Sequence, residues 1–156
     1  MTSIADEDMA VVVRVAPLVS IDVVIRDALG RVLVGCRNNE PARGSYFVPG
    51  GVIRKNETLD DAFKRILTRE TGLKGNRSSA QFLGVYEHFY STNRYGDPNF
   101  GTHYVVLGYL LHTSQPSDLR ADSQHSEFRW MQESELLAAP NVHENTKAFF
   151  QRPVRS

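Results

Sequence analysis

A glutamate in the apolar face of a predicted helix is the feature that most constrains this chain. Apolar side chains recur at the spacing of one helical face at Leu59, Ala62, Phe63, Ile66 and Leu67. At about 100° per residue, Glu70 falls in the middle of that stripe. A carboxylate facing a core is costly unless it is paired, hydrogen-bonded or bound to a metal. Because the bare-backbone turn Pro49-Gly50-Gly51 lies just upstream, the pattern predicts a metal site.

The ends of this helix can also be predicted. Thr58, with Asp61 three residues later, is a variant of the capping box that starts a helix. Gly72 is a natural residue for the left-handed position that ends one. The sequence therefore predicts a helix that starts after Thr58 and ends at Gly72.

Composition excludes several classes of function. The 156 residues suit one domain, residues 1–156, with a sizeable core. Lys plus Arg and Asp plus Glu both number 18, so there is no basic footprint for nucleic acid. No apolar run reaches transmembrane length, and the acidic start carries no signal-peptide pattern. With Cys36 as the only cysteine, no internal disulfide is possible and a cytoplasmic protein is expected.

Strand patterns outnumber helix patterns. Alternation over Leu18 to Ile25 places Val19, Ile21, Val23 and Ile25 on one face, and a return strand follows to Arg37. Further strands are predicted at 46–48, 81–90, 103–112 and 128–131, and helices at 133–139 and 142–151. The apolar run Met9 to Val13 is interpreted as an edge strand or a dimer contact. The predicted fold class is α/β or α+β, an α/β/α sandwich with a mixed β-sheet.

The glycine turn and the helix together resemble a known motif. The residues Gly51, Glu57, Arg65, Leu67, Glu70, Gly72 and Leu73 match the Nudix box, G-x5-E-x7-R-E-U-x-E-E-x-G-U with U aliphatic. The resemblance implies a Nudix sandwich that hydrolyses a nucleoside diphosphate linked to another group. Two glutamate positions of the box instead hold Ile66 and Arg69. Fewer metal ions and a general base outside the box are therefore expected.

One branch of the family, the GDP-mannose mannosyl hydrolases, shares this loss and resembles nearly the whole chain. The resemblance includes Tyr46-Phe47-Val48-Pro49-Gly50-Gly51, Thr102-His103-Tyr104, Gln124-His125 and Asn141-Val142-His143. It implies a small-molecule nucleotide sugar as substrate, no nucleic-acid or membrane partner, and a homodimer. It also implies one Mg²⁺ per site, held by oxygen atoms of Gly50, Glu70 and Gln124, the ligand type that Mg²⁺ prefers.

The same resemblance implies hydrolysis at the anomeric carbon. His125 would be the general base, since histidine titrates near neutral pH. Arg37, Arg65 and Tyr104 would stabilise charge on the leaving diphosphate. Substrate-binding roles fall to Asp22 and His88 near the sugar, and to Met9 where the branch has a phenylalanine that stacks on guanine. Attack by water in one displacement inverts the anomeric configuration.

Several alternatives stay open at this stage. Arg65 could chiefly orient a box carboxylate, and His88 could be a satisfied core histidine. Val52 stands where the branch has an arginine on the diphosphate, so Arg54 or Arg94 is a candidate replacement. Of His103 and Tyr104, on opposite faces of one strand, Tyr104 is favoured for the site. Rival functions are a Nudix pyrophosphohydrolase that cuts a P–O bond and a weakly catalytic nucleotide-sugar binding module.

Overall fold

The computed structural model describes residues 5–116, 119–120 and 125–151, which form two runs of strands with helices before, between and after them. The strands are β1 (Leu18–Arg26), β2 (Val32–Arg37), β3 (Tyr46–Phe47), β4 (Gly50–Val52), β5 (Gln81–Tyr90), β6 (Thr102–His112) and β7 (His125–Met131). The α-helices are α1 (Asp6–Val15), α2 (Leu59–Thr71), α3 (Glu133–Ala138) and α4 (Glu144–Lys147). Single 3₁₀ turns follow at Arg77–Ser79 and Ala148–Phe150.

These strands form one mixed sheet, in the order β3-β2-β1-β6-β5, with β4 paired to β1 and β7 to β2. β1 and β6 are parallel over their length, whereas the other pairs are antiparallel. Helix α2 packs on one face, where its apolar stripe meets Ile21, Val23 and Ile25. The segments after β7 cover the other face around Val24 and Leu136. The predicted α/β/α sandwich with a mixed sheet is confirmed.

Helix α2 begins and ends where the sequence predicts. The Thr58 hydroxyl accepts a hydrogen bond from the backbone N–H of Asp61 at 3.1 Å. Gly72 ends the helix in the left-handed conformation with φ of 75°, which glycine adopts without strain. Glu70 is only 6% exposed, so its predicted position within the apolar face is confirmed.

The edge-strand interpretation of Met9 to Val13 is wrong, because this run lies in helix α1. Asp6, Glu7 and Asp8 occupy the first turn and Arg14 the last, which is the charge order that a helix dipole favours. Val13 is buried and the helix packs against β6. This packing overrides the β-preference of three consecutive valines.

Two other expectations about local structure need correction. Gly50 and Gly51, predicted as part of a turn, lie in strand β4 and pair with Asp22 and Ile21 of β1. The predicted helix over 142–151 divides into α4 and the following 3₁₀ turn. Val142 remains outside the helix because it forms a bridge with Tyr46 of β3, and tertiary pairing thus sets where α4 begins.

The face of the sheet beneath α2 is only partly covered. Val19 shares a face with Ile21, Val23 and Ile25, as predicted, but it is 44% exposed, because α2 covers the other end of β1. Val85 and Phe89 of β5 are 60% and 65% exposed, and the strand registers place them on the same face as Val19. We call Val19, Val85 and Phe89 the open face.

We expect Gly51→Ala to destabilise the protein because α2 lies very close to β4 at this point. A Cβ at Gly51 would lie 3.0 Å from Cγ1 of Ile66, so the helix would have to shift. The expected loss is about 1–2 kcal/mol, measured by urea denaturation. Adding Ile66→Val should recover part of it. Equal stability of Gly51→Ala and wild type would contradict the close approach.

Candidate active site

A partly buried ion pair organises the loop between β4 and α2. The Nε and Nη2 atoms of Arg65 donate to the two carboxylate oxygens of Glu57 at 2.7 and 2.9 Å, and Nη2 also donates to the carbonyl of Val52 at 2.8 Å. These bonds from Arg65 chiefly hold the pKa of Glu57 below its ordinary value. The geometry fits the alternative in which Arg65 orients a box carboxylate. Its contact with a leaving diphosphate stays a prediction.

The candidate metal site lies where α2 faces β4. Ile66 packs against Gly51, and Glu70 follows one helical turn later on the same buried face. Gly50 is tightly enclosed as well, since a Cβ there would lie 2.0 Å from Oδ1 of Asp22. The predicted donors, the buried carboxylate of Glu70 and a backbone carbonyl of β4, are hard oxygen ligands of the kind that Mg²⁺ prefers. Gln124, the third predicted ligand, lies outside the described residues.

A metal site of this kind would not be recognised by a cluster of acidic or histidine side chains. In the described ranges no group of three His, Cys, Asp or Glu side chains is placed to hold a metal ion. The predicted ligands include a backbone carbonyl and an amide, and Glu70 is the one acidic side chain among them. The predicted ligand set therefore contains fewer carboxylates than the usual Nudix box would supply.

Three of the predicted site residues lie close enough to act on one another. Burial raises the pKa of Asp22 to about 7, and the nearby charge of Arg37 opposes that rise. Burial also raises the pKa of Tyr104, with Arg37 opposing and Asp22 reinforcing the shift. Asp22 in the middle of β1, Arg37 at the end of β2 and Tyr104 near the start of β6 therefore form a single electrostatic cluster.

His88 joins this cluster from β5, where it lies directly opposite Tyr104. Burial, together with the neighbouring His143, lowers the pKa of His88 to about 4, so its imidazole is neutral at physiological pH. Its buried Nε2 has no hydrogen-bond partner within the described part of the chain. A buried polar atom of this kind ordinarily has one, and a ligand hydroxyl would supply it.

Tyr104 rather than His103 faces the site, as the sequence analysis favours. The Tyr104 ring lies 6.0 Å from that of Tyr90 in an edge-on arrangement. His103 points to the other face, where it stacks on Phe89 of the open face at 4.3 Å. Sequence reasoning missed Tyr90, although its position two residues after His88 on one strand places both on the same face.

Phe47 links two polar groups of the site and was also missed. The Arg37 guanidinium lies 5.6 Å from the centre of the Phe47 ring, and the His143 imidazole stacks on the same ring at 4.7 Å. His143 Nδ1 accepts a hydrogen bond from the backbone N–H of Asn145 at 3.0 Å, which caps α4. Phe47 had no sequence signal of its own beyond its place in the resemblance.

The remaining predicted residues are placed less completely. His125 begins β7, and its backbone lies opposite Arg37 of β2. This puts the predicted base beside the predicted diphosphate ligand along the sheet, but its side chain lies outside the described part. Met9 lies on α1, half-buried, on a helix that contacts β6. The proposed roles of His125 and Met9 stay predictions.

The family of this protein follows from comparison with known proteins. The NUDIX domain family matches residues 16–152. The chain belongs to the Nudix hydrolase family. It is 42% identical, over 128 residues, to the low-salt glycan biosynthesis protein Agl8 of Haloferax volcanii, covering 82% of this chain and 79% of that protein. It is 36% identical over 70 residues to an ADP-ribose pyrophosphatase of Methanocaldococcus jannaschii, covering 45% and 40%.

Solved structures agree on the Nudix fold. The MutT protein of Methanosarcina mazei Go1 superimposes with a TM-score of 0.69 at 18% identity, covering 86% of this chain and 91% of that one. The Nudix domain of Shewanella oneidensis NrtR gives a TM-score of 0.67 at 18% identity, covering 94% and 96%. Within the described residues of this Nudix protein, no helix is long and apolar enough to cross a membrane.

We expect Glu57→Gln to lower the free energy of unfolding by about 2 kcal/mol at pH 7, since the charge-assisted hydrogen bonds of a partly buried ion pair are weakened. The folded-state pKa of Glu57 lies below its ordinary 4.5, so the wild-type stabilisation is complete above that value. It is lost as the pH falls through the folded pKa. Urea denaturation over this range should show the two proteins converging in acid.

Glu135→Gln is the matched control, because Glu135 is an exposed glutamate of α3. We expect this variant to change stability by less than about 0.5 kcal/mol. An equal effect of the two substitutions would show that the Glu57–Arg65 pair does not stabilise the fold.

Proposed function

We propose that this protein is a Mg²⁺-dependent hydrolase that cleaves GDP-mannose, or a related GDP-hexose, to GDP and free sugar. The observation that carries the proposal is which side chains of helix α2 occupy the glutamate positions of the Nudix box. Ile66, at a glutamate position of the usual box, is 1% exposed and packs against Gly51. Arg69, at another, is exposed. Glu70 is thus the inward carboxylate of this helix, which suits a reaction with fewer metal ions and a base elsewhere.

In the proposed reaction, a water molecule attacks the anomeric carbon and gives its proton to His125. The bond between that carbon and the β-phosphate oxygen breaks, and its electrons leave with GDP. One displacement from the opposite face inverts the anomeric configuration. Mg²⁺, held by Gly50, Glu70 and Gln124, would supply positive charge that stabilises the departing diphosphate.

The protein's own cations would share this stabilisation. Arg37 lies at the end of β2, directly opposite the backbone of His125 on β7, so base and cation lie on adjacent strands. Tyr104 is close enough to Arg37 for the charge to affect its pKa, and its hydroxyl is a possible donor to the same phosphate. Arg65 would contribute to this stabilisation by holding the loop between β4 and α2 in place.

Asp22 and His88 have the chemistry expected of residues that bind the sugar. A carboxylate near the anomeric carbon favours the positive charge that develops there, and Asp22 lies over Gly50, next to the candidate metal site. His88, neutral and buried, has a ring nitrogen that a sugar hydroxyl could satisfy. Its low pKa argues that His88 binds as an uncharged group.

The relationship to Agl8 supports a nucleotide-sugar substrate. The name of that protein places it in glycan biosynthesis, and the match covers most of both chains. Activated sugars are the building blocks of glycans, so a hydrolase for a nucleotide sugar fits beside this relative. The guanine base is proposed from the branch resemblance, and Met9 in place of its phenylalanine predicts weaker guanine stacking.

A second candidate function is cleavage of a P–O bond in a nucleoside diphosphate derivative. The partial likeness to an ADP-ribose pyrophosphatase is the observation that favours it. That reaction ordinarily uses several box carboxylates, two of which are absent here. Oxygen from labelled water distinguishes the two reactions, since it enters the sugar after C–O cleavage and a phosphate after P–O cleavage.

We expect proton NMR of GDP-mannose with the protein and Mg²⁺ to show β-mannose as the first sugar product, with GDP. Mannose 1-phosphate and GMP would overturn C–O cleavage and support the second candidate. Tight calorimetric binding without turnover would instead identify a nucleotide-sugar binding module. Glu70→Gln should raise the Mg²⁺ concentration needed for half-maximal rate, and exposed Glu135→Gln should leave it unchanged.

We also propose that the protein forms a homodimer through the open face. Val19, Val85 and Phe89 expose apolar side chains together, and Val15 of α1 and Phe89 line one groove. Exposed Glu87 lies between Val85 and Phe89 on this face, so the surface joins exposed apolar side chains with one charge. Exposed apolar side chains that share one face are typical of an association site. The dimer-contact alternative for the segment containing Met9 to Val13 agrees with this position.

We expect Phe89→Glu to shift the protein from dimer to monomer in sedimentation velocity, because a charge would be buried in the interface. Leu29→Glu is the matched control, since Leu29 is 72% exposed in the β1–β2 turn, away from the open face. A wild-type protein that sediments as a monomer at micromolar concentration would refute the dimer.

A further inference from the structure

Two buried side-chain nitrogen atoms next to the candidate site have no hydrogen-bond partner in the described ranges. They are Nε2 of His88 on β5 and Nδ2 of Asn145, the second residue of α4. His88 is 5% exposed. Buried polar atoms in folded proteins ordinarily have a partner, because an unpaired atom loses its bonds to water without replacement. Both atoms are therefore available to a group that the described part of the protein does not supply.

Ring contacts hold α4 and the turn after it against the end of β5. The His88 ring lies 6.2 Å from Phe149, and the Tyr90 ring lies 5.4 Å from His143. His143 also caps α4, since its Nδ1 accepts a hydrogen bond from the backbone N–H of Asn145 at 3.0 Å. Asn145 thus lies in the chain between two residues that each contact one of these β5 rings.

The Asn145 side chain lies beside Tyr90. Burial raises the pKa of Tyr90 to about 12, and the Asn145 side chain opposes this rise. No hydrogen bond of ordinary geometry joins its Nδ2 to the Tyr90 hydroxyl in the part of the chain that the structure describes. The amide is thus buried next to Tyr90 with its donor still unused.

The protonation state of His88 decides which ligand group fits. Burial, followed by the charge of His143, lowers the pKa of His88 to about 4, so the imidazole is uncharged at neutral pH. Its Nε2 then accepts or donates one hydrogen bond, whereas Nδ2 of Asn145 only donates. A hydroxyl group both accepts and donates, and therefore suits these atoms. Carboxylates and phosphates bind best to charged donors, which neither residue provides.

Aromatic rings lie around the same residues. The Tyr90 ring is edge-on to His88 at 6.4 Å and to Tyr104 at 6.0 Å, and Phe149 packs edge-on against Tyr86 at 4.6 Å. Tyr104 lies directly opposite His88, which joins this region to the candidate site. Sites for small organic ligands are typically lined by aromatic side chains, with a few polar groups that fix orientation. A carbon ring that carries hydroxyl groups fits such surroundings.

We propose that Asn145 is a specificity-determining residue, whose Nδ2 donates to a hydroxyl group of the bound sugar next to His88. This inference rests on the proposed function, in which the substrate is a nucleotide sugar. It adds α4 to the elements that contact the sugar, and no residue of α4 is among those that the resemblance to the mannosyl hydrolases names.

Calorimetric titration with GDP-mannose and with GDP tests the assignment, in EDTA so that a Mg²⁺-dependent reaction does not run. We expect Asn145→Ala to weaken GDP-mannose binding about fivefold, the effect of losing one hydrogen bond between uncharged groups, and to leave GDP binding unchanged. Asn145→Leu, which keeps the side-chain volume and lacks the donor, should behave alike. Asn141→Ala is the matched control, because Asn141 is an exposed asparagine just before α4, and it should change neither affinity.

Analogues of GDP-mannose that each lack one sugar hydroxyl identify the group that is bound. For one of them, the wild type should bind about fivefold more weakly than it binds GDP-mannose, and Asn145→Ala should cause no further loss. Such non-additivity is expected when the side chain and the hydroxyl contact each other. A merely structural effect of Asn145 would be the same for every analogue and would count against the proposal.

Unchanged GDP-mannose affinity in Asn145→Ala would overturn the proposal, as would an equal loss of GDP and GDP-mannose affinity, which would indicate a general disturbance of α4. A wild-type protein that binds no GDP-mannose would overturn it together with the proposed function. A wild type that binds GDP-mannose in EDTA but does not hydrolyse it with Mg²⁺ would refute the proposed reaction alone, and the ratio of affinities would still decide the role of Asn145.

Discussion

The contact of Arg65 with Glu57 and with the Val52 carbonyl is the interaction on which the rest of the site depends. It joins the end of β4 to the second turn of α2 and closes the loop between them. Because the helix is fixed in this way, Ile66 can pack against Gly51 and Glu70 is directed inward. This stabilising contact therefore sets the geometry of the candidate metal site, independently of any contact between Arg65 and the substrate.

The candidate site contains buried titratable groups whose surroundings favour different protonation states. Burial keeps His88 neutral and favours the uncharged form of Asp22, whereas Arg37 favours its carboxylate. Such opposed effects leave a group sensitive to whatever binds beside it. A cation or a polar ligand next to Asp22 would change its charge state without any rearrangement of the fold.

The sequence could predict those features that depend on local patterns. The capped helix around Glu70, the strands and the sandwich follow from periodicity and from residues such as Thr58 and Gly72. Helix α1 could not be predicted, because its valines favour strand and its helical state depends on packing against β6. The division of α4 from Val142 likewise depends on a bridge to Tyr46, a partner about 100 residues away.

The candidate site was predictable in part for the same reason. The helix pattern pointed to Glu70, and the resemblance named Gly50 together with Asp22, Arg37 and Tyr104. The fold brings the last three of these together. Phe47 and Tyr90 contribute through packing, and only the assembled sheet shows which rings they meet. The unpartnered Nε2 of His88 is also a property of the folded surroundings, so no single-sequence pattern could reveal it.

Phe47 connects the short helix α4 to the candidate site. The cap of α4 is His143, His143 stacks on Phe47, and Arg37 lies over that same ring. A helix of one turn is thus connected, through two ring contacts, to a cation of the candidate site at the end of β2. Substitutions in or next to α4 would then change ligand recognition at Arg37 while the residues of the candidate site stay the same.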